Sequence, residues 1–171
     1  SRLVPKNGIA DLIKAVAVLG EKRKEPTFKL LVAGGGEQKD DLLKLADGLE
    51  IKDKVIFVGQ VSHSDLPKYL KISDVFVRPS LSEGLGNAFL EAMAASVPVI
   101  GTRAGGIPDF LKAEETGLFC KVGDPEDIAQ KIERFIFDDS LSKKTVGNAL
   151  KLVKEKYNWK IIANEYAKLY L

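Results

Sequence analysis

Glu83 and Glu91 stand eight positions apart in the run Ser82-Glu83-Gly84-Leu85-Gly86-Asn87-Ala88-Phe89-Leu90-Glu91. Gly84 and Gly86 let the backbone turn tightly and come close to a ligand. A helix opening behind them directs its free amides and the positive end of its dipole back at the turn. That arrangement suits a phosphate, with the amides of Leu85, Gly86, Asn87 and Ala88 as the expected donors. The two carboxylates would repel a phosphate, but they can accept hydrogen bonds from hydroxyls beside it. Eight helical residues rise ~12 Å. That is comparable to the reach from a sugar, across a diphosphate, to a ribose. A nucleotide diphosphate sugar has this distribution of hydroxyls and charge. Taken alone, the pair also fits two ordinary acids placed near a helix start for dipole reasons.

The surrounding sequence predicts strands and helices in alternation. Apolar residues recur with helical spacing at Ile9, Leu12, Ile13, Val16, Ala17 and Leu19, predicting a helix from Ile9 to Lys22. A short apolar run from Phe28 to Ala33 reads as a strand ended by Gly34-Gly35-Gly36. Further helices are expected over Gln38–Leu49, over Leu66–Leu70 after the capping run Ser62-His63-Ser64-Asp65, and over Asn87–Ala95. Ile107–Leu111, Pro125–Phe137, Leu141–Tyr157 and Ile161–Leu171 complete the helices, with Pro125 suited to a first helical position. Strands are expected at Val55–Val58, Val75–Val77, Val97–Gly101 and Leu118–Val122. Apolar strands separated by amphipathic helices predict an α/β fold, a three-layer doubly wound parallel sheet covered on both faces. Ligands in such sheets bind at the carboxyl ends of the strands. The glycine turns Gly34–Gly36, Gly84–Gly86 and Gly105-Gly106 all follow predicted strands, so they should converge on one edge.

The chain has 171 residues, enough for one domain, read as 1–171, with a real core. Its apolar fraction of 45% and charged fraction of 29% are those of an ordinary globular protein. Basic and acidic residues, 26 and 24, are interspersed, which argues against a nucleic-acid surface. One cysteine excludes an internal disulfide. Cys120, between apolar neighbours, reads as a small buried hydrophobe. No apolar run reaches the ~18 residues of a membrane span, and no signal peptide is evident. The opening at Ser1-Arg2 suggests a piece of a longer protein. His63, the single histidine, reads as a surface residue in a first helical turn. No cluster of His, Cys or acids has metal-ligand spacing, so no metal and no cofactor is expected. Tyr157, Trp159 and Tyr166 read as packing residues.

The segment around Glu83 and Glu91 resembles the E-x(7)-E motif of the family 4 retaining glycosyltransferases. Arg2-Leu3-Val4-Pro5, Leu31-Val32-Ala33-Gly34-Gly35-Gly36, Val55-Ile56-Phe57-Val58-Gly59, Asp74-Val75-Phe76-Val77, Pro98-Val99-Ile100-Gly101-Thr102 with Gly105-Gly106, and Thr116-Gly117-Leu118 resemble that family's further motifs in its order. The resemblance implies one Rossmann-like half of a GT-B fold, the C-terminal donor-binding domain, with an N-terminal acceptor domain lying outside this chain. It implies that Glu83 contacts donor-sugar hydroxyls and Glu91 ribose hydroxyls. It assigns Arg2 and a following lysine to neutralising the departing diphosphate. Asn7 stands where the commonest form of the motif has that lysine, so Lys6 is the nearest candidate and Lys39 a second. Leu85 stands where the family usually has an aromatic, and Glu37 where it often has proline. Gly34 and Gly36 would approach the nucleotide, and Gly59, Gln60 and Val61 would meet the base, mainly through backbone groups. The implied reaction is sugar transfer from a nucleotide sugar to an acceptor hydroxyl with retention, without a metal, in polysaccharide or glycolipid biosynthesis. The implied setting is cytoplasmic, with peripheral membrane association through the other half. A GT-B-type epimerase or phosphorylase and a non-catalytic nucleotide-binding module are the alternatives.

Overall fold

The computed structural model describes residues 2–23, 25–158, 161, 163, 167 and 168. The apolar stripe of the first amphipathic segment winds it into α1 (Ile9–Lys22), entered from a 3-10 turn at Pro5–Asn7. Strand β1 (Leu30–Ala33) follows, then α2 (Lys39–Gly48) and β2 (Val55–Gly59). α3 (Leu66–Lys71) leads to β3 (Phe76–Arg78), and α4 (Asn87–Ala94) to β4 (Val99–Gly101). α5 (Ile107–Phe110), β5 (Leu118–Phe119), α6 (Pro125–Phe137) and α7 (Asp139–Lys156) complete the order. The side chains of Asp124 and Asp138 accept from the amides of Asp127 and Leu141 at 3.0 and 2.9 Å, capping α6 and α7.

The alternation of strand side chains makes three layers. Val99 packs with Phe89 and Met93 of α4 and Ala149 of α7 on one face of the sheet. Its neighbour Ile100 packs with Leu12 and Leu19 of α1 and Ile128 of α6 on the other. Successive strand residues point to opposite faces, so both faces must be covered. A further cluster joins Ile13 and Val16 of α1, Val32 of β1 and Leu42 of α2. Among the described residues every strand pair is parallel, as the helical crossovers require.

Two differences from the sequence reading stand out. The described residues form two parallel ladders, β1–β2 and β3–β4–β5, in place of one continuous sheet. No strand among them bridges β1 and β3. The last strand stops at Phe119, short of Val122, because the Lys121 amide is taken by the Asp127 carboxylate at 2.8 Å. The expected helix Ile161–Leu171 falls almost wholly outside the described residues, as do Trp159 and Tyr166. Tyr157 is a packing residue, its ring edge-on to Phe110 with centroids 6.2 Å apart. Among the described residues no helix is long and apolar enough to cross a membrane.

Candidate functional site

The carboxyl ends of β1, β3 and β4 bring the glycine turns to one edge, as the alternation of elements predicts. β3 ends at Arg78, and the chain turns through residues 79–86 before α4 begins. Gly86, at φ 81°, is the cap residue of α4 in a left-handed conformation that favours glycine. Its carbonyl accepts from the Phe89 amide at 2.9 Å. Among the described residues nothing accepts from the amides of Leu85, Gly86, Asn87 and Ala88, so the helix N-terminus stands open. The Gly105-Gly106 turn clamps this loop from behind. The Gly106 amide donates to the Gly84 carbonyl at 2.8 Å. A Cβ on Gly105, at φ 53°, would lie 1.8 Å from the Glu83 carbonyl oxygen. The turn after β4 therefore sets the backbone height of Glu83.

The Glu83 side chain is held by a network that the sequence pattern does not reveal. Its Oε1 receives Arg78 Nη2 at 2.6 Å and the Ser80 hydroxyl at 3.0 Å. Arg78 also donates to Asn7 Oδ1 at 3.2 Å, and Asn7 Nδ2 donates to the Arg2 carbonyl at 2.6 Å. The Thr102 hydroxyl donates to the Ser80 carbonyl at 2.5 Å. Asn7, Ser80 and Thr102 are buried. The side chains of Arg78 and Glu83 are 16% and 10% exposed. Burial pulls the Arg78 guanidinium below its ordinary pKa, with the Glu83 charge opposing the shift. Asn7, standing where the family motif has a lysine, is thus a buried strut between the N-terminal segment and β3. The one signal in the sequence was a cation closing an otherwise apolar strand, Val75-Phe76-Val77-Arg78.

Glu91 lies one turn into α4, with its side chain 37% exposed and His63 Nδ1 3.8 Å away. His63 is exposed, as expected, yet it faces this carboxylate across the site mouth. A cavity of about 970 Å³ opens here, and Arg2, Gly34, Gln60, Val61, Ala88 and Glu91 all line it. Glu83, Leu85, Gly86 and Asn87 do not line it, but Arg78, which grips Glu83, does. Gly36, Gly59, Lys6 and Lys39 are likewise outside its lining, and both lysines are exposed. The separation of Glu83 from Glu91 differs from an eight-residue helical rise. Only Asn87 onward is helical, because Gly86 breaks the helix geometry before it. The helical part from Asn87 to Glu91 rises ~6 Å.

Cys120 is buried, and desolvation, with the Asp127 charge adding, pushes its thiol up to about 12. The reactive thiolate is then scarce at neutral pH. Iodoacetamide at pH 8 should leave the native protein unlabelled by mass spectrometry, with labelling only in denaturant. Prompt stoichiometric labelling of the native protein would contradict this burial.

Residues 1–152 match the model of the family described as glycosyl transferases group 1. An uncharacterised glycosyltransferase of Methanocaldococcus jannaschii is 37% identical over 169 residues, 99% of this chain and 43% of that protein. A GDP-mannose-dependent phosphatidylinositol monomannoside mannosyltransferase of Mycobacterium tuberculosis is 31% identical, covering 98% of this chain and 45% of that one. The crystallised C-terminal domain of a group 1 glycosyl transferase from Francisella tularensis superposes with a TM-score of 0.82 at 28% identity, over 92% of this chain and 83% of that one. The chain spans about half the length of the curated relatives it matches.

Proposed function

This chain belongs to the glycosyl transferases group 1 family, and on that footing we propose that it is the donor-binding half of a glycosyltransferase. In this reading it holds a nucleotide diphosphate sugar and, with an N-terminal domain, passes the sugar to an acceptor hydroxyl with retention of configuration. The observation that carries the reading is that Ala88 in the first turn of α4, the Glu91 carboxylate and Arg2 line one cavity, beside the open N-terminus of that helix. The diphosphate sits against the amides from Leu85 to Ala88, where the helix dipole favours negative charge. Arg2 and Lys6 add positive charge as the glycosidic bond to the leaving diphosphate breaks. No metal is needed for that stabilisation, which preorganised amides and cations supply. Glu91 accepts from the ribose hydroxyls. Glu83 accepts from the sugar hydroxyls through Oε2, since Oε1 is already engaged by Arg78 and Ser80. Gln60 and Val61 border the base, with Gly34 beside the ribose. The relative named as GDP-mannose-dependent supports the class of donor.

The two carboxylates are separable. Glu91→Ala should weaken binding of GDP or UDP by roughly tenfold or more, since a hydrogen bond to a charged group contributes about 1.5–3 kcal/mol. Glu83→Gln keeps the side-chain shape, so it should spare the free diphosphate and weaken the intact sugar donor by a similar factor. Calorimetry on both variants with both ligands reads the asymmetry. Equal losses for the two ligands in both variants would refute the assignment.

A further inference from the structure

Arg78 closes β3 and lines the donor cavity. Three contacts fix its side chain. Nε donates to the Ser80 hydroxyl at 3.2 Å, and Nη2 donates to Asn7 Oδ1 at 3.2 Å and to Glu83 Oε1 at 2.6 Å. Asn7 and Ser80 are 2% and 0% exposed, so the guanidinium is braced against buried groups. Nη1 takes no part in this. Among the described residues it donates to nothing, and nothing donates to Glu83 Oε2. Yet no buried side-chain nitrogen or oxygen among those residues lacks a partner. Both atoms are therefore reached from outside, by water or by a ligand.

These two open atoms have a definite chemistry. Nη1 offers only hydrogen-bond donors and Oε2 only lone pairs. The contact between Nη2 and Oε1 holds them close together. The two charges offset each other, so the pair exerts little net attraction on an ion. A phosphate or carboxylate oxygen would accept from Nη1 and be repelled by Glu83. An ammonium would give to Oε2 and be repelled by the guanidinium. A hydroxyl both donates and accepts, and so satisfies both atoms at once. This end of the site thus suits a neutral polyol, where the amides of α4 suit an anion. On the reading that the chain holds a nucleotide diphosphate sugar, we infer that Arg78 is a specificity-determining contact to the sugar. Its Nη1 donates to the same ring hydroxyl that donates to Glu83 Oε2. Glu83 alone accepts from any hydroxyl or ammonium. Arg78 adds the demand that the group also be an acceptor. The pair therefore selects a free hydroxyl at one ring position against an ammonium, a hydrogen or an ether. A site built to hydrogen-bond a hydroxyl rejects the analogue lacking it, because its own polar groups are then left unpaired.

Calorimetry on the full-length protein tests this with UDP-glucose, UDP-galactose, UDP-N-acetylglucosamine and GDP-mannose. The tightest-bound of the four is compared with its monodeoxy analogues, one for each ring hydroxyl. Loss of one particular hydroxyl should weaken binding by roughly tenfold or more. In Arg78→Met the same loss should cost less than about threefold. A wild type equally tolerant of every deoxy analogue would overturn the inference, and so would an undiminished cost in Arg78→Met. A second arm separates contact from support, since Arg78 also holds Glu83 in place. It compares Glu83→Gln with the double variant Glu83→Gln, Arg78→Met, which leaves neither charge alone and serves if Arg78→Met does not fold. The double variant should bind the intact donor about fivefold or more weaker than Glu83→Gln, with equal affinity for free UDP and GDP. Equal affinity of the two variants for the intact donor would reduce Arg78 to a brace for Glu83 and overturn the inference. The donor-half reading fails separately. A wild type that binds neither UDP and GDP nor any of the four sugars refutes that reading, whereas diphosphate binding with no dependence on any hydroxyl refutes only the role of Arg78.

Discussion

Arg78→Met should cost about 3 kcal/mol of stability, the largest effect expected of any single change near the site. The guanidinium and the Glu83 carboxylate are both largely withdrawn from water and meet at 2.6 Å. Removing one partner of a buried pair leaves the other charge desolvated and uncompensated, which costs about 3–5 kcal/mol. The residual exposure of both groups places this pair at the lower end. Arg78 also holds Asn7 and Ser80, so those two lose a donor at once. In a domain of this size ~3 kcal/mol lowers the melting midpoint by roughly 6–12 °C. Arg78→Lys should recover only part, because an ammonium cannot reproduce the planar fork that reaches Glu83, Ser80 and Asn7 together. The double variant Arg78→Met with Glu83→Gln should lose less than the two single losses summed, since neither charge is then left alone. Melting midpoints of the wild type, both singles and the double read the coupling. Additive losses, or a midpoint for Arg78→Met within 2 °C of wild type, would show that the pair is incidental.

The effect on binding follows from geometry. Glu83 hangs from a loop fixed by the Gly106 hydrogen bond behind it and by Arg78 beside it. With Arg78 gone the carboxylate turns toward water, so affinity for the intact sugar donor should fall while affinity for the free nucleoside diphosphate, held at the other end of the site, changes little.

The sequence carried the alternation of strands and helices because the periods differ, 3.6 against 2, and each segment is long enough to show one. α1 and α6 lie where the apolar stripes end, and Pro125 marks the start of α6. It carried the turns because glycine is written into them. What it could not carry was the network around Glu83. Arg78, Asn7 and Ser80 are 71 and 2 positions apart in sequence. They meet only because parallel crossovers return every strand end to the same edge. His63 beside Glu91 is the same kind of fact, a contact between the loop after β2 and α4 that no local pattern encodes. Nor could local patterns show that β1 and β3 are left unjoined, since a strand's edges are invisible in its own residues. The bend before α4 was legible in part: Gly84 and Gly86 forecast a turn, and the turn shortens the helical rise between the two glutamates.

A chain limited to residues 1–171 should bind a nucleotide sugar and yet transfer no sugar. Every feature of the described residues that fits the proposed reaction serves the donor: amides of α4, Glu91, Glu83 and Arg2 on one edge of the sheet. An acceptor hydroxyl must be brought to the anomeric carbon in a defined direction, and positioning of that kind is worth roughly 10⁵–10⁸ M in effective concentration. In the proposed reading the other domain supplies it. The transfer rate of the isolated domain should therefore lie at least ~10⁴-fold below that of the full-length protein. Radiolabelled donor with the same acceptor, under identical conditions, measures both. Calorimetry with GDP and UDP on the same preparations shows whether the isolated domain is folded and loaded. Binding without transfer fits a donor half whose chemistry is completed from outside. Transfer at comparable rates would place acceptor positioning within these residues and refute that division.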